Sequence, residues 1–411
     1  KLGHSWSVPI HAALGNGAYR LLELEPDGLA PFLHRKDIGG LNVTIPYKRD
    51  VMPLCDEIDP AAEAIGSVNT IVRCADGKLV GYNTDIDGFL YMACRAGISL
   101  SGKKVVILGS GGASLTAQTA ARQGGAAEVV VVSRFGPDNY DNLSRHADAE
   151  ILVNATPVGM YPGNGQSPVD LSVFPVCQGV LDVIYNPRRT ALLLQAEARS
   201  IPCSDGLPML VAQAVAAEER FFNRSIPAGE NERILVQLRR EMTNLILIGM
   251  PGTGKSVVGR ALAQRLDYTF VDVDDLIVEK TGKTLPEILR TQGLEAFLAI
   301  EEQVGQSLEC SNTVVATGGS MVLSEKAMEH LRSNGVAVWL ETPLSRIDSR
   351  MPQDLVDRGI AAPAGPTIRE IYRQREPLYA RYADLIVASR EGEDDTARMV
   401  EEVMRTVGVA L

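Results

Sequence analysis

The sequence predicts an α/β protein built on parallel sheets, because short β-branched runs alternate with helix-period segments and with turns that contain glycine. The clearest unit is the apolar run at residues 103–108, which enters the loop GSGGA at 109–113 and is followed by a predicted helix and a second apolar run at 129–132. Much later in the chain, a further apolar run at residues 245–248 enters another glycine-rich loop. These two strand–loop–helix units predict two separate nucleotide-binding regions in one chain.

Composition excludes several classes of protein. The chain has 411 residues and a formal net charge of −11, without a block of Lys or Arg. This charge argues against a surface for nucleic acid or anionic membrane and favours small-molecule ligands. No apolar run approaches the roughly 20 residues of a membrane span. The six cysteines lack CxxC spacing, which favours reduced thiols over a disulfide framework or a cysteine metal site. We therefore expect a cytoplasmic enzyme, with no prediction of its oligomeric state.

Three further segments complete the organisation of the chain. Residues 1–98 mix a helix-like pattern at 61–65 with short strand patterns at 40–44 and 70–74. The sequence opens directly on a Gly-His-Ser turn, where an α/β domain usually has a strand first, so we expect the first strand to be missing. The polar stretch 223–244 interrupts the apolar rhythm and predicts the main domain boundary, with a linker at 227–244.

The loop at residues 109–113 has the strand-to-helix context of a dinucleotide-binding turn, in which backbone N–H groups approach a pyrophosphate. A glycine turn without further signals is more often structural. The following strand ends in Ser133-Arg134, where NAD-binding folds usually place an acidic residue. A guanidinium can pair with a 2′-phosphate, so this position favours NADP over NAD. The alternative is a solvated arginine at a strand end.

Residues 1–226 resemble the shikimate dehydrogenase family through eight ordered motifs. They are HSWSVPIH (4–11), GLNVTIPYK (40–48), AIGSVNT (64–70), GYNTDIDGF (81–89), GSGGA (109–113), NATPVGMYP (154–162), DVIYNP (182–187) and GLPMLVAQ (206–213). The resemblance implies a substrate-binding domain at 1–98 plus 205–226 and a Rossmann-like NADP domain at 99–204. It also implies reduction of 3-dehydroshikimate to shikimate with NADPH.

The same resemblance implies roles for individual residues. Lys48 and Asp85 match the catalytic pair, and a Lys–carboxylate pair can handle the proton that accompanies hydride transfer. Taken singly, Lys48 would be a surface lysine and Asp85 an Asx-turn residue. The implied substrate ligands are Ser5, Ser7, Asn42, Thr44, Asn69, Asp85, Tyr185 and Gln213. The implied NADP contacts are Gly109, Ser110, Gly111, Gly112, Ala113, Ser133, Arg134 and Met160.

The second glycine-rich loop is a complete P-loop. Residues 249–256 read GMPGTGKS, which fits GxxxxGK[ST] after an apolar strand and before a helix whose Val258, Leu262 and Leu266 share one face. The lysine of such a loop reaches the β- and γ-phosphates, and the Ser hydroxyl ligates Mg²⁺. Downstream, FVDVDDLI predicts Asp272 and Asp274 on the same side of an extended segment.

Residues 245–411 are similar to the shikimate kinase family, through the P-loop, the DVD segment, TGGS (317–320) and REPLY (375–379). The similarity implies a P-loop domain of the NMP-kinase-like type with a parallel sheet, ATP and Mg²⁺ as cofactors, and phosphorylation of shikimate to shikimate 3-phosphate. The implied nucleotide contacts are Gly249, Gly252, Thr253, Gly254, Lys255, Ser256 and the lid arginine Arg358. The implied metal ligands are Ser256 and Asp272, the catalytic residues Lys255 and Asp274, and the substrate contacts Asp274, Gly318, Gly319 and Arg375.

One departure affects the substrate of this half. The family's GExxFRxxE segment supplies an arginine to the substrate carboxylate, and here GLEAFLAIE (293–301) has Leu298 at that place. Ser320 also replaces a glycine, and Glu301 lacks the arginine that it would orient. We therefore keep three alternatives to the bifunctional interpretation: a P-loop half that is regulatory or inactive, a kinase for another hydroxy acid or polyol, and a reductase that prefers quinate and NAD.

Overall fold

The computed structural model describes residues 5–350, 355–362, 367–389 and 395–410, with side chains described as far as Val407. The chain divides between Val236 and Gln237 into two compact units. His4 of the first motif and parts of the expected lid, residues 351–354 and 363–366, lie outside the described residues.

The N-terminal unit alternates helices and short strands. Its elements are α1 (Ser7–Ala13), α2 (Leu29–Leu33), β1 (Gly40–Asn42), β2 (Glu57–Ile58), α3 (Pro60–Ile65), β3 (Thr70–Arg73), β4 (Leu79–Tyr82), α4 (Asp85–Arg95), β5 (Lys104–Leu108), α5 (Gly112–Gln123), β6 (Glu128–Val132), β7 (Ile151–Asn154), β8 (Gly179–Asp182), α6 (Ala191–Ala198), β9 (Cys203–Ser204) and α7 (Leu207–Phe222). The helix α8 (Gly229–Met242) crosses the division between the units.

The C-terminal unit has the same alternation. Its elements are β10 (Asn244–Ile248), α9 (Lys255–Leu266), β11 (Thr269–Asp272), α10 (Val273–Thr281), α11 (Leu285–Ser307), β12 (Thr313–Ala316), α12 (Glu325–Ser333), β13 (Gly335–Glu341), α13 (Leu344–Asp348), α14 (Ile368–Tyr382), β14 (Leu385–Ala388) and α15 (Asp395–Ala410).

Two sheets form the N-terminal unit. The first has the order β1-β3-β4-β2, with antiparallel β1–β3 and β3–β4 pairs and a parallel β2–β4 pair. The second is parallel throughout, in the order β6-β5-β7-β8-β9. Its strands β5, β7 and β8 are apolar and buried, as expected for a sheet covered on both faces. The sheets lie within the two predicted domain ranges, whose exact limits stay a prediction.

The predicted linker 227–244 is largely helical. Ile234, Leu235 and Leu238 of α8 are buried, and their i, i+1, i+4 spacing gives the helix an apolar stripe. Polar residues outnumber apolar ones in this segment, so the stripe is not evident from its composition. The division between the two units falls within this stretch, and its exact limits as a linker stay a prediction.

A five-stranded parallel sheet in the order β11-β12-β10-β13-β14 forms the centre of the C-terminal unit. All five residues of β10 are buried, and Val258 and Leu262 of α9 pack on one face of the sheet as predicted. The opposite face carries a core that includes Phe297, Met321 and Tyr379. The predicted α/β class with parallel sheets is confirmed.

Among the described helices, none combines the length and apolar character of a membrane span. All six cysteines are free, and reduced thiols stay a prediction.

Candidate active sites

The first candidate site is an ion pair at the edge of the four-stranded sheet. Lys48 Nζ lies 2.6 Å from Asp85 Oδ2, and both side chains are mostly shielded from solvent, with exposed fractions of 26% and 14%. Asp85 is the first residue of α4, where the helix dipole favours a negative charge. Its backbone N–H donates to Asn83 Oδ1, which fixes the start of the helix. The predicted catalytic pair is therefore assembled.

Predicted polar ligands form a hydrogen-bonded group beside this pair. The Ser5 hydroxyl donates to Ser7 Oγ, and the Asn42 amide donates to Thr70 Oγ1. Asn69 donates through Nδ2 to Thr84 Oγ1, and its Oδ1 accepts the backbone N–H of Thr84, the residue before Asp85. These bonds fix short polar side chains next to a Lys–Asp pair, an arrangement that suits a small polyhydroxylated ligand.

Gln213 reaches the same region from α7. This helix packs closely on α4 at Gly88, where a Cβ would lie 2.5 Å from Met209 O and 3.1 Å from Gln213 Cβ. The close approach places Gln213 next to Gly88, which lies one helical turn after Asp85 in α4. Thr44 is exposed in the segment between β1 and Lys48, and Tyr185 is half-buried after β8, where burial raises the pKa of its hydroxyl.

The second candidate site is the loop between β5 and α5. Gly109 has φ +103°, and a Cβ there would lie 2.9 Å from Ala155 O, so the turn requires glycine. Ser110, Gly111 and Gly112 are exposed, and added Cβ atoms at the two glycines would meet nothing within 4 Å. Ala113 follows in the first turn of α5. An open helix N-terminus lined by glycine leaves room for a phosphate group to approach backbone N–H groups.

Ser133 and Arg134 lie beside this loop because β6 pairs with β5 in register, with Leu108 opposite Val132. Arg134 is exposed, and its guanidinium carbon lies 5.8 Å from the centroid of the Phe135 ring, which is itself 95% exposed. Met160 is 46% exposed in the segment after β7. The loops that carry these residues follow the carboxyl ends of parallel strands, where α/β sheets bind ligands.

A buried network supports two of these loops. Asp182, fully buried at the end of β8, accepts hydrogen bonds from Asn154 Nδ2, the Thr190 hydroxyl and the backbone N–H of Ile184. Burial raises the pKa of Asp182 to about 6. The network joins the end of β7 to the segment after β8.

The third candidate site is the P-loop of the C-terminal unit. Gly249, Gly252 and Gly254 have φ of +144°, +80° and +92°, conformations that favour glycine. Lys255 is buried, and its ammonium donates to the carbonyls of Gly249 and Met250 at 2.8 and 2.9 Å. Thr253 Oγ1 donates to Met250 O. Burial lowers the pKa of Lys255 to about 8, opposed by the nearby carboxylates of Asp274 and Asp272.

The donor set at the start of α9 fits a magnesium ion bound to phosphates. The Ser256 hydroxyl donates to Asp272 Oδ2 at 2.6 Å, so a hydroxyl and a carboxylate oxygen lie together beside the P-loop. Asp272 ends β11 and caps α10, and Asp274 lies in the first turn of that helix. The predicted extended placement of Asp274 is therefore wrong, because the Asp272 side chain accepts the Asp274 backbone N–H and starts a helix.

Buried charged groups converge around Gly318. A Cβ at Gly318 would clash with Glu301 Oε1 and lie 3.1 Å from Asp274 Oδ1. Burial raises the pKa of Asp274 to about 6 and that of Glu301 to about 7, with Asp274 contributing to the second shift. Arg375 is 2% exposed, and one of its terminal nitrogens donates to Ala361 O. Among the described residues, Glu301 Oε1 and Arg375 Nε and Nη1 have no hydrogen-bond partner.

Two further predicted residues flank this cluster. Gly319 packs against Pro251, and its carbonyl accepts the Tyr379 hydroxyl at 2.6 Å. Arg358 is exposed and donates to Arg350 O, and Arg350 in turn donates to Gly252 O of the P-loop at 2.9 Å. The arginine that touches the P-loop among the described residues is therefore Arg350, while the phosphate contact predicted for Arg358 stays a prediction.

Comparison with known proteins assigns the N-terminal unit. A shikimate dehydrogenase (NADP(+)) from Clostridium perfringens is 36% identical over 260 residues, which cover 58% of this chain and 96% of that protein. The chain belongs to the shikimate dehydrogenase family. The family model for the shikimate dehydrogenase substrate-binding domain matches residues 1–71.

Solved structures agree with the assignment of this dehydrogenase-family unit. A chorismate mutase/shikimate 5-dehydrogenase fusion protein from Clostridium acetobutylicum matches with 36% identity and a TM-score of 0.55, covering 58% of this chain and 93% of that one. A shikimate 5-dehydrogenase from Thermus thermophilus, solved with NADP(H) and shikimate, matches with 32% identity and a TM-score of 0.50, covering 56% and 94%. The model for shikimate kinase matches residues 251–407. A unit of the shikimate dehydrogenase family is thus joined to a domain that matches the shikimate kinase model.

Sequence reasoning missed the roles of three residues in the dehydrogenase and kinase units. Tyr19 donates its hydroxyl to Asn42 Oδ1, a predicted substrate ligand, yet no local motif marks it. The sequence marks Glu301 only through the absent arginine at position 298, and its approach to Asp274 depends on the packing of α11 against α10 and the loop after β12. Arg350 precedes the expected lid, and its contact with the P-loop joins residues 98 positions apart.

Proposed function

We propose that the N-terminal unit reduces 3-dehydroshikimate to shikimate with NADPH. The Lys48–Asp85 pair carries this proposal, since it joins a proton donor to a carboxylate beside a polar ligand group. NADPH supplies the hydride when bound. The Lys48 ammonium donates a proton to the carbonyl oxygen as that oxygen gains charge, and Asp85 holds the lysine in position. The neutral amine of Lys48 then takes up a proton from solvent.

Lys48→Ala tests this role. We expect turnover to fall by roughly 100- to 10,000-fold, the usual size of an acid–base contribution, with little change in thermal stability. Lys78→Ala is the matched control, because Lys78 pairs with Glu57 at the same 2.6 Å distance in an exposed position. Near-normal turnover in Lys48→Ala would exclude Lys48 as the proton donor.

We propose NADP as the cofactor because Arg134 stands at the end of β6, where it can pair with a 2′-phosphate. Loss of one charge-assisted hydrogen bond removes about 1.5–3 kcal/mol, so Arg134→Ala should raise KM for NADP⁺ roughly 10- to 150-fold and leave KM for NAD⁺ nearly unchanged. Arg122→Ala, at the end of α5, is the control. A parent chain that prefers NAD⁺ and quinate would support the alternative reductase.

We further propose that the C-terminal unit transfers a phosphoryl group from ATP to the 3-hydroxyl of shikimate. The approach of Asp274 and Glu301 at Gly318 carries this proposal, together with the buried Arg375, whose charge acts to lower the pKa of Glu301. Arg375 has two partnerless N–H groups among the described residues, and these suit a substrate carboxylate. Asp274 accepts the proton of the attacking hydroxyl, and its raised pKa makes it a stronger base than an ordinary aspartate.

The remaining groups of this unit bind the nucleotide. Lys255, which donates to carbonyls of the P-loop, would contact the phosphates of a bound nucleotide. Ser256 and Asp272 would hold Mg²⁺, which would neutralise charge on the transferred phosphoryl group. This assembly supports catalysis over the alternative of an inactive or regulatory module, because every group that phosphoryl transfer requires at the P-loop is present.

The decisive assay is ATP-dependent phosphorylation of shikimate by the full chain, followed by mass spectrometry of the product. We expect shikimate 3-phosphate from the parent chain and almost none from Lys255→Ala. Lys280→Ala, an exposed lysine of α10, is the control. No product from a preparation with intact dehydrogenase activity would contradict the kinase proposal and favour another hydroxy acid or a regulatory role.

A further inference from the structure

The N-terminal unit contains a buried, hydrogen-bonded histidine–glutamate pair outside the Lys48–Asp85 site. His11 of α1 and Glu218 of α7 have no solvent exposure, and His11 Nδ1 lies 2.5 Å from Glu218 Oε1. Asn16 Nδ2 donates to the same carboxylate oxygen at 2.7 Å. In the described part of the chain, His11 Nε2 and Glu218 Oε2 have no partner. Burying such groups with incomplete hydrogen bonding is costly, so the arrangement calls for a physical reason.

The His11–Glu218 pair packs against the aromatic ring of Tyr19. The Tyr19 ring stacks on the His11 ring with a centroid distance of 3.7 Å and an interplanar angle of 9°. Stacking on a buried, hydrogen-bonded imidazole limits the tilt and position of the tyrosine. The His11–Glu218 pair thus holds Tyr19 between α1 and β1, with its hydroxyl at the predicted ligand group.

The Tyr19 hydroxyl connects two predicted substrate ligands that come from different elements. It donates to Asn42 Oδ1 of β1 at 3.2 Å, and it is hydrogen-bonded to the Ser7 side chain of α1. Burial raises the pKa of Tyr19 to about 12, so the hydroxyl keeps its proton at neutral pH. Because the phenol donates to Oδ1 while Asn42 Nδ2 donates to Thr70 Oγ1, the amide is oriented from both ends.

We propose that Tyr19 is a positioning residue of the dehydrogenase substrate site, which fixes the separation of Ser7 and Asn42 and the orientation of the Asn42 amide. The inference rests on the proposed dehydrogenase function. Tyr19 acts through Ser7 and Asn42 rather than on the reacting atoms, so its loss weakens substrate binding more than it slows the proton and hydride steps.

Tyr19→Phe removes the hydroxyl and keeps the stacked ring. We expect KM for shikimate and its Kd from calorimetry to rise roughly 3- to 10-fold, the range for one ordinary hydrogen bond. We expect kcat and KM for NADP⁺ to stay within about twofold, since the Lys48–Asp85 pair and the β5–α5 loop are untouched. Tyr91→Phe is the matched control, because the Tyr91 hydroxyl donates to Glu232 and lies in α4 six residues after Asp85.

A second variant tests the His11–Glu218 pair that supports Tyr19. Glu218→Gln keeps the volume but removes the charge that holds His11, and it should raise KM for shikimate in the same direction as Tyr19→Phe. In the double variant, the two effects should be less than additive because they act on the same contact.

The outcomes separate the inference from the function on which it rests. A parent chain that neither binds nor oxidises shikimate refutes the proposed dehydrogenase function, and the positioning role falls with it. A parent that oxidises shikimate, with a folded Tyr19→Phe variant whose KM and Kd for shikimate are unchanged, refutes the positioning role alone. A fall in kcat without a rise in KM or Kd also refutes it.

Discussion

The substitution Leu298→Arg tests whether the kinase domain lacks one cation for its substrate. Leu298 lies three residues before Glu301 in α11, so the two side chains share one face of the helix. Glu301 Oε1 has no partner among the described residues, and Leu298 packs only partly against the core of the C-terminal unit. A guanidinium at this position can therefore pair with Glu301, on which the charge of Arg375 also acts.

The expected gain follows from one charge-assisted hydrogen bond. Such a bond contributes about 1.5–3 kcal/mol, which corresponds to roughly a 10- to 150-fold lower KM for shikimate. Pairing with Glu301 orients the new side chain and offsets part of the burial of charge. Loss of the leucine contacts costs about 1–2 kcal/mol of stability, within the range that a folded domain tolerates. KM for ATP should not change.

The assay is steady-state phosphorylation of shikimate by the full chain with saturating ATP. Leu298→Met is the control, since it changes shape without adding charge. Combining Leu298→Arg with Glu301→Gln should remove part of the gain, because the orienting carboxylate is lost. An unchanged KM in a folded variant with normal ATP affinity would refute the missing-cation argument and imply that Arg375 and its neighbours already satisfy the substrate.

Three further predictions follow from buried positions. Asp182→Asn should flatten the pH dependence of the free energy of unfolding of the N-terminal unit. The folded parent binds the Asp182 proton more tightly than the unfolded chain does, because folding raises the pKa of this carboxyl from 3.8 to about 6. This contribution to stability is fully present at low pH and is lost as pH rises from 3.8 through about 6. Gly88→Ala should lower that unit's free energy of unfolding by about 1–3 kcal/mol and weaken shikimate binding, because the added methyl meets Met209 O. Gly318→Ala should abolish kinase activity and spare dehydrogenase activity, because the methyl clashes with Glu301.

These predictions have direct controls. The chain has two tryptophans, Trp6 in the N-terminal unit and Trp339 in the C-terminal one, so a Trp339→Phe background makes fluorescence report on the first unit alone. A parent-minus-variant stability difference that does not fall between about pH 4 and pH 6 would contradict the Asp182 prediction. Gly17→Ala, where a Cβ meets nothing within 4 Å, is the control for Gly88→Ala. Kinase activity that survives Gly318→Ala would show that Glu301 can move aside.

Local patterns predict two strand–loop–helix units with the form of nucleotide-binding loops. The P-loop at 249–256 and the GSGGA turn at 109–113 are identifiable because such a loop is contiguous, with its backbone conformation set by glycines a few residues apart. Asp274 was placed incorrectly because strand periodicity and a helix N-cap give the same acidic pattern, and the Asp272 side chain decided between them. The α8 helix was missed because its three buried residues stand among many charged ones.

The sequence by itself determined the α/β class, the two glycine-rich loops with the form of phosphate-binding loops, and the identity of the residues in the Lys48–Asp85 pair. Only the tertiary structure decided which buried groups face one another: Tyr19 on a His11–Glu218 pair that joins positions 207 residues apart, and Glu301 against Gly318. Neither contact has a local signature in the sequence, because the identity of a buried histidine or glutamate does not show whether it contacts a carboxylate, an aromatic ring or a substrate. The packing of helices and strands that are distant in the sequence determines which residue each buried group contacts, and that contact determines its hydrogen bonding and its pKa.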